Sequence, residues 1–311
     1  MSFHVSAIQL AFSYASTPQQ FFDRVREPIE RAVAATGAQL IALPNYTGLQ
    51  LLGIAVPAAD DALSLDEIAR AGEFPTVAAM LREIAPTMRD FFVNLFASLA
   101  QRLRLYLAPG TVIEGDGGRL YNTAYLFAPD GTLVGAQRQT HRTRQEIAWG
   151  LSQGDELRVF DIGSARVGFV VGTDVEYPEV SRILALQGAN VLIHPAAYAT
   201  WNAEHFLIDL WREVQSNQVF GVQACRVGEN FRGRSAIYVP VEMTPTHQGI
   251  LVQTPSSTTE GSVSAVLDFD ALQKVIDGYP IFDFFNYEFC ARELPKAYRL
   301  VNKTEHAIRN T

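Results

Sequence analysis

Runs of strand-forming apolar residues alternate with helical segments along this chain, and this alternation restricts the fold more than any other feature. Residues 3–11 alternate as a strand. A helix is predicted from Pro18 behind the capping residue Thr17, and residues 38–43 form a short apolar run of the buried-strand type. The same order returns around residues 170–220, with hairpins in between. The pattern predicts a single sheet-rich α/β domain built in layers, rather than a pure doubly wound sheet.

Four further segments carry predictions of their own. Residues 51–85 are rich in alanine and aspartate and are interpreted as an inserted segment of short helices, which leaves open whether they cover a pocket. A helix with apolar residues at helical spacing is predicted from Pro86 onward. Residues 202–217 are predicted as one helix. The aromatic tail from residue 279 is predicted to be irregular.

Charge and hydropathy argue against several classes of function. The 311 residues are 48% hydrophobic with a net charge of −8, and the only basic run, residues 138–144, is short, so nucleic-acid binding is not expected. No apolar stretch approaches the roughly 18 residues of a membrane span, and the N-terminus lacks a basic leader. Two widely separated cysteines, Cys225 and Cys290, do not form a disulfide framework, which favours a cytoplasmic setting.

The positions of the lysines limit the chemistry that this chain can perform. Its three lysines are Lys274, Lys296 and Lys303, and none precedes position 274. A mechanism that needs a lysine ammonium in the main body of the domain is therefore excluded, unless the C-terminal tail supplies it. The chain also lacks nucleotide-binding glycine loops and histidines at metal-ligand spacing. We accordingly predict no cofactor and no metal.

Six segments follow one another in an order typical of a known family. They read AQLIALP, GAQRQTH, VGTDVEYPEVSRILALQGANVLIHPAA, QSNQVFGVQACRVG, GRSAIYVP and SVSAVLDFD. In this order they resemble the nitrilase superfamily of carbon–nitrogen hydrolases over nearly the whole chain. The resemblance implies a four-layer αββα sandwich. It also implies a Glu–Lys–Cys triad in which a thiolate attacks an amide or nitrile carbon, a carboxylate moves the proton, and a cation stabilises the new negative charge.

All three catalytic residues of that family are replaced when its motifs are carried over to this sequence. The glutamate after the second-strand proline corresponds to Asn45, and the lysine two residues before the histidine of THRTRQE corresponds to Gln139. The cysteine two residues before the aspartate of the strand-to-helix turn corresponds to Gly172. The resemblance therefore implies a preserved turn without its nucleophile, since glycine offers only backbone freedom there.

Other side chains near these motifs are candidates for a ligand pocket. Glu146 matches a second family glutamate, and we leave open whether it binds a ligand or pairs with Arg142 or Arg144. Cys225 and His194 are interpreted as buried structural residues rather than catalytic ones, and His141 as a structural hydrogen-bonding residue. The candidate pocket residues are Tyr46, His141, Glu146, Thr173, Asp174, Tyr198 and Trp201.

Three hypotheses of function remain at this point. The first is a catalytically degenerate member that binds a small molecule or a protein partner. The second is an amide or nitrile hydrolase with a rebuilt site, in which Glu146 or Asp174 activates water; the third is a structural or regulatory subunit without a ligand. The resemblance further implies a homodimer or larger assembly, with residues 1–278 as the domain and the aromatic residues 279–311 as an interface segment.

Overall fold

The computed structural model describes residues 2–202 and 204–308 and contains thirteen strands within them. The strands are β1 (Ser2–Ala11), β2 (Leu40–Ala42), β3 (Tyr106–Ala108), β4 (Thr111–Asp116), β5 (Arg119–Phe127), β6 (Leu133–Arg138), β7 (Val159–Asp161), β8 (Arg166–Phe169), β9 (Val191–Ala197), β10 (Phe220–Val227), β11 (Ala236–Tyr238), β12 (Ile250–Gln253) and β13 (Gly261–Asp268).

The helices vary from one turn to seven in length. They are α1 (Pro18–Thr36), α2 (Leu52–Ala55), α3 (Leu65–Ala71), α4 (Val77–Leu103), α5 (Arg144–Ala148), α6 (Pro178–Leu186), α7 (Leu210–Asn217), α8 (Phe269–Gly278) and α9 (Tyr287–Ile308). None of these described helices has the combination of length and hydropathy needed to cross a bilayer. Thr17 caps α1 as predicted, because its side chain accepts a hydrogen bond from the backbone N–H of Gln20.

The strands form two halves that meet where β1 and β10 pair side by side. The main order is β4–β5–β3–β2–β1–β10–β9–β8–β7, with β13 and β6 added to the first half and β11 and β12 to the second. β1, β2 and β3 are parallel to one another, and so are β8, β9 and β10. The predicted hairpins β5–β6 and β7–β8 are antiparallel, as expected for their short turns.

Each half of the sheet has its own helical layer. α1 and α4 pack against strands of the first half, while α6 and α7 pack against strands of the second. The buried side chains of α1 and α4, including Phe21, Phe92 and Phe96, join those of the sheet in one core. Helix, sheet, sheet and helix thus form the αββα sandwich, and the predicted fold class is confirmed.

Three predictions about helices were wrong in their extent. α4 begins at Val77 instead of Pro86 and continues through the proline. Met80 and Leu81 before Pro86 and Met88 after it are all buried, so core packing outweighs the hydrogen bond that the proline removes.

The other two corrections concern residues 202–217 and the tail. Residues 205–208 form a 3₁₀ turn, and α7 starts only at Leu210. The side chain of Asp209 caps the helix there by accepting from the N–H of Leu210. Residue 203 lies outside the described residues. The tail is helical over Tyr287–Ile308, and the side chain of Asn286 accepts from the N–H of Phe289 at its start. The chain divides into two compact units, Met1–Leu272 and Gln273–Thr311.

Candidate active site

Loops that leave the carboxyl ends of several strands carry buried polar side chains, including Asn45, Gln139 and Asp174. Asn45 follows β2, Gln139 follows β6 directly, and Gly172 lies three residues beyond β8. In open α/β sheets the carboxyl ends of parallel strands are where ligand sites are built, because the loops there can converge on one point. The following contacts establish that these three loops do converge.

Asn45, Gln139 and Gly172 lie within a few ångströms of one another. A Cβ atom placed on Gly172 would be 2.7 Å from Asn45 Nδ2 and 3.4 Å from Gln139 Oε1. The φ angle of Gly172 is +52°, in the left-handed region that favours glycine. Two neutral side-chain amides therefore occupy the space in front of this glycine.

The amide of Asn45 has a fixed orientation. Its Oδ1 accepts hydrogen bonds from the N–H of Tyr46 at 3.1 Å, from Thr111 Oγ1 at 2.7 Å and from Asn122 Nδ2 at 3.0 Å. These three donors occupy the oxygen, so that Nδ2 is the group that faces Gly172 and the cavity in front of it. Asn45 can donate a hydrogen bond into the cavity, but it offers no basic atom there.

Gln139 and Glu146 are joined in the same network. Gln139 Nε2 donates to the carbonyl oxygen of His141 at 2.6 Å and to Glu146 Oε2 at 3.0 Å, and its Oε1 accepts from Asn122 Nδ2 at 2.7 Å. Gln139 is buried and has both ends of its amide satisfied. It therefore contributes position and hydrogen bonds, but no charge.

Glu146 is almost fully buried and has three partners. Besides Gln139, it accepts from the N–H of Thr143 at 2.6 Å, as part of the capping box of α5, and from the hydroxyl of Tyr46. Burial and then the Glu146 carboxylate raise the pKa of Tyr46, so this phenol remains a donor. Among the described residues no ion pair joins Glu146 to Arg142 or Arg144, and Arg142 Nη1 instead donates to the carbonyl oxygen of Leu151 at 2.6 Å.

Asp174 connects the Gly172 turn to the Gln139 loop. Its fully buried carboxylate accepts from the N–H of Thr140 at 3.0 Å, from Thr140 Oγ1 at 2.8 Å and from the N–H of His141 at 2.7 Å. The ring of His141 lies 3.2 Å from the same carboxylate through Nδ1 and stacks on Tyr177 with centroids 3.7 Å apart. These bonds hold the two loops together, which explains why Gln139 approaches Gly172.

A cavity of about 620 Å³ opens in front of the three positions. Of the residues selected from the sequence, Asn45, Tyr46, Glu146, Gly172 and Thr173 line it. Gln139, His141, Asp174, Tyr198 and Trp201 are outside its described lining. The segment between α2 and α3 contributes Asp61, Leu63 and Ser64 to the wall, so the inserted region does border the cavity.

Tyr198 belongs to a neighbouring buried cluster. Its hydroxyl donates to Asp209 and lies 2.9 Å from Nε2 of His194, whose Nδ1 lies 2.7 Å from the carbonyl oxygen of Val170. Burial acts to raise the pKa of Asp209, but the bonds from His194, Tyr198 and the N–H of Leu210 outweigh it, and the net pKa is lowered. His194 is thus a satisfied core histidine, as predicted. Trp201 instead lies beside Arg234, whose Cζ is 5.4 Å from the indole centroid.

Cys225 is the one cysteine near this cluster among the described residues, and its thiol is shielded. The side chain is fully buried on β10, where Sγ lies 3.2 Å from the carbonyl oxygen of Arg234. Burial, followed by the charge of Asp209, raises the pKa of Cys225 well above its usual value. A thiol in such surroundings remains protonated and is a poor nucleophile, which confirms the structural interpretation.

The whole αββα unit matches one protein-family model. The model describes carbon–nitrogen hydrolases and aligns with residues 4–277. This chain belongs to the carbon–nitrogen hydrolase family. Family membership accounts for the strand-to-helix turn and the converging loops, and it leaves the chemistry to be decided by the residues that occupy them.

Two relatives show how similar this family member is to other proteins of known sequence. It is 30% identical over 196 residues to "Probable hydrolase YhcX" of Bacillus subtilis, covering 59% of this chain and 37% of that protein. It is 31% identical over 198 residues to the omega-amidase NIT2 of Bos taurus, covering 60% of this chain and 70% of the relative. The chain spans only a part of each of these relatives.

A solved structure reproduces the fold over most of the chain. An amidase from Nesterenkonia sp. AN1, in a cysteine-to-alanine variant crystallised with butyramide, superposes with a TM-score of 0.67 at 19% identity. The superposition covers 88% of this chain and 93% of the amidase. At this level of identity the likeness shows that the two proteins share the fold.

One cavity residue of this family member was missed by sequence reasoning. Arg226, near the end of β10, is only 7% exposed and lines the cavity on the side of Phe12 and Phe231. Arg226 is the one charged residue in the largely apolar run VFGVQACRVG, and this was the available signal, because charged side chains are rarely buried without a partner.

Proposed function

We propose that this protein is a catalytically degenerate carbon–nitrogen hydrolase that binds a small amide in its cavity without hydrolysing it. In this proposal Asn45, Gln139 and Gly172 occupy the positions of the catalytic glutamate, lysine and cysteine. The observation that carries it is the convergence of these three residues, with Asn45 Nδ2 only 2.7 Å from where a Cβ of residue 172 would be. Substitutions at three positions that meet in space act on one site.

The site lacks the nucleophile, the general base and the lysine cation that the family's reaction requires. Gly172 provides no nucleophile, and the buried thiol of Cys225 is outside the described lining of the cavity. Asn45 cannot accept the proton that a carboxylate would take. Gln139 carries no charge, and no lysine precedes position 274, so an oxyanion formed beside residue 172 would lack the ammonium that the family's lysine supplies.

The groups that remain are suited to holding an amide. Asn45 Nδ2 faces the cavity as a donor, whereas the oxygens of Glu146 already accept from Tyr46, Gln139 and Thr143. A primary amide offers an acceptor oxygen that matches this donor. The butyramide complex of the Nesterenkonia variant and the omega-amidase activity in the name of the bovine relative make primary amides the class to test first.

Activation of water by Glu146 or Asp174 is the competing proposal, and their contacts disfavour it. The oxygens of Glu146 already accept from Tyr46, Gln139 and Thr143, so a water molecule would have to displace a donor. Asp174 is fully buried and outside the described lining of the cavity. A general base needs a free lone pair directed at its water.

The test measures binding and turnover of butyramide on the same protein. We expect calorimetry to detect binding, a coupled assay to find no ammonia above the buffer blank, and mass spectrometry to find no acyl adduct. Ammonia release that Glu146→Gln abolishes would contradict the proposal in favour of activated water. If neither butyramide nor other amides, nitriles or carboxylates bind, the proposal fails and a subunit role without a ligand is favoured.

Two matched glycine variants distinguish a change in the ligand cavity from a general effect on folding. Gly172→Ala adds a methyl group beside Asn45 and is expected to abolish butyramide binding. Gly117→Ala is the control, since Gly117 has a similar φ of +55° but no atom within 4 Å of an added Cβ. It should leave binding unchanged.

Restoring the family's residues tests the assignment of the three positions. Asn45→Glu, Gln139→Lys and Gly172→Cys are combined in one triple variant, which is expected to form a thioester adduct with a primary amide as the C–N bond breaks and ammonia leaves. Each double variant should lack this adduct, because the groups act as a unit. Adduct formation by a double variant would show that another residue supplies the missing group.

Self-association through residues 279–311 is a further part of the proposal. In the C-terminal unit, Phe284 is 69% exposed and Phe289 is 51% exposed, which is costly for aromatic rings in water. We expect sedimentation to detect a homodimer or larger assembly, and the double substitution Phe284→Ser/Phe289→Ser to shift it towards monomer. Leu133→Ser, at an exposed position of β6, is the control. A monomeric wild-type protein would refute this part.

A further inference from the structure

Arg226 has an unusual environment for an arginine in the interior of a protein. It sits at the end of β10, where it pairs with Leu10 of β1 on one side and Ala197 of β9 on the other. Its guanidinium is stacked between two aromatic rings, with Cζ 3.3 Å from the centroid of Phe12 and 3.8 Å from that of Phe231. The rings cover both faces of the plane, so that only its edge, which carries the N–H donors, is available for hydrogen bonds.

That edge has no acceptor from the protein. Across residues 2–202 and 204–308, no hydrogen bond or ion pair to Arg226 is present, and its buried Nε is among the unsatisfied polar atoms. Burial lowers the pKa of Arg226 to about 9, opposed by Tyr14, Tyr46 and Asp61, so the group is still a cation at neutral pH. Cation–π stacking on the two rings stabilises the charge only in part.

Nearby acidic groups do not neutralise this charge. Asp61 is exposed and its Oδ1 accepts from the N–H of Tyr14 at 2.7 Å. Glu229 is exposed at the cavity wall, and the oxygens of Glu146 are occupied by their three donors. Arg138, by contrast, also stacks on an aromatic ring but pairs with Glu114 at 3.3 Å and Asp116 at 2.7 Å.

The cavity identifies the kind of anion that fits. Among the lining residues that the structure describes, Arg226 is the only cation, and neither lysine nor histidine occurs. One guanidinium edge matches one carboxylate, which it can bind through two parallel hydrogen bonds. A phosphate has more charge and more acceptor oxygens than this single cation can satisfy. Trp149, Leu49 and Leu65 supply apolar walls for a short hydrocarbon body.

We propose that Arg226 binds the carboxylate of a small, singly charged ligand in this cavity. The inference rests on the proposed amide-binding function, which it deepens, because Asn45 and Arg226 line the same cavity. The ligand would then have an amide at the Asn45 end and a carboxylate at the Arg226 end. Arg226 selects among amides by charge, and takes no part in bond making.

The experiment compares three probes of similar length by calorimetry: butyramide with the amide alone, butyrate with the carboxylate alone, and succinamate with both. For the wild-type protein we expect succinamate to bind at least ten-fold more tightly than butyramide. Arg226→Met should remove this preference while butyramide affinity stays the same. Arg226→Lys, which keeps the charge but loses the planar edge, should retain part of it. Arg138→Met is the control and should bind all three probes like the wild type.

The outcomes separate the two proposals. Butyramide binding with no gain for succinamate, or a gain that survives in a folded Arg226→Met protein, would overturn the role of Arg226 and leave amide binding intact. If butyrate binds as tightly as succinamate and butyramide does not bind, carboxylate binding by Arg226 would be supported and amide binding in the cavity would be refuted. If inorganic phosphate displaces succinamate more effectively than butyrate does, the preference of Arg226 for a carboxylate would be refuted. Absence of binding by every probe would refute both proposals.

Discussion

The two loops around Asp174 and the strand end at Arg226 both carry a buried charge, but only one of these charges has partners within the protein. The carboxylate of Asp174 accepts from two backbone N–H groups and a hydroxyl, and it is 0% exposed. The guanidinium of Arg226 is 7% exposed and has aromatic rings on its faces, with no acceptor among the described residues.

Polar groups in the interior can be structural or functional, and their hydrogen-bond partners distinguish the two kinds. A buried charge whose hydrogen bonds are complete holds the fold in one arrangement, and its removal leaves several donors unsatisfied. A buried charge with open hydrogen-bonding positions contributes little to the fold, and it remains available to a molecule from outside. Substitutions at the two kinds of buried charge should therefore differ in how much stability they remove.

Asp174→Ala should cause the largest loss of stability. The substitution removes the acceptor of the partly buried N–H groups of Thr140 and His141 and separates the Gly172 turn from the Gln139 loop. We expect the free energy of unfolding, measured by urea denaturation, to fall by about 3–5 kcal/mol.

Asp130→Ala is the control for that measurement. Asp130 also accepts from a backbone N–H and a hydroxyl, both of Thr132, but it lies in an exposed hairpin turn. Its loss should be about 1 kcal/mol or less. Equal effects of the two substitutions would contradict a structural role for the buried network.

Asp209→Asn should weaken the protein by about 1–3 kcal/mol at neutral pH, because Tyr198 and His194 lose a charged acceptor. The folded pKa of Asp209 is lowered, so its contribution is present above the unfolded value of about 4 and is lost as the pH falls through the folded value. The difference in stability between wild type and variant should therefore shrink as the pH drops below about 4. Urea denaturation between pH 7 and pH 3 measures it, and a constant difference would refute the assignment.

Gly172→Ala should reduce the free energy of unfolding by about 1–3 kcal/mol, the cost of a left-handed backbone at a residue with a Cβ plus that of moving Asn45. Gly117→Ala also places a Cβ on a left-handed backbone, but no neighbour has to move. Its free energy of unfolding should therefore fall by about 1 kcal/mol. The difference between the two, measured by urea denaturation, isolates the contact with Asn45. Identical losses would mean that Asn45 moves aside freely and that the site is loosely held.

The order of the elements could be predicted from the sequence, and their ends only in part. Alternating and continuous apolar runs predicted strands such as β1 and β9, since these patterns follow directly from which faces are buried. Pro86 is compatible with a helix only because buried residues on both sides keep α4 intact, and such tertiary packing is invisible in a local pattern. The helix of the tail was missed because aromatic content was given more weight than the cap at Asn286.

The site shows a similar division. Motif order brought Asn45, Gln139 and Gly172 to attention, and the fold places these residues close together. Arg226 was overlooked because it stands out only through the lack of an acceptor near its guanidinium. A sequence does not show which residues become neighbours in space, so this lack could not be seen. The partners of Glu146 were likewise hidden, since Tyr46 lies far from it along the chain but forms its hydrogen bond across the site.

Arg226→Met should have the smallest effect on stability. The variant loses two stacking contacts, worth about 0.5–2 kcal/mol each, but it also removes the cost of burying a cation without an acceptor, which is of similar or greater size. We expect the free energy of unfolding without ligand to change by about 1 kcal/mol or less, or to rise, because methionine fills much of the same volume. A loss as large as that of Asp174→Ala would show that Arg226 has a structural role, and the contrast between the two buried charges would no longer hold.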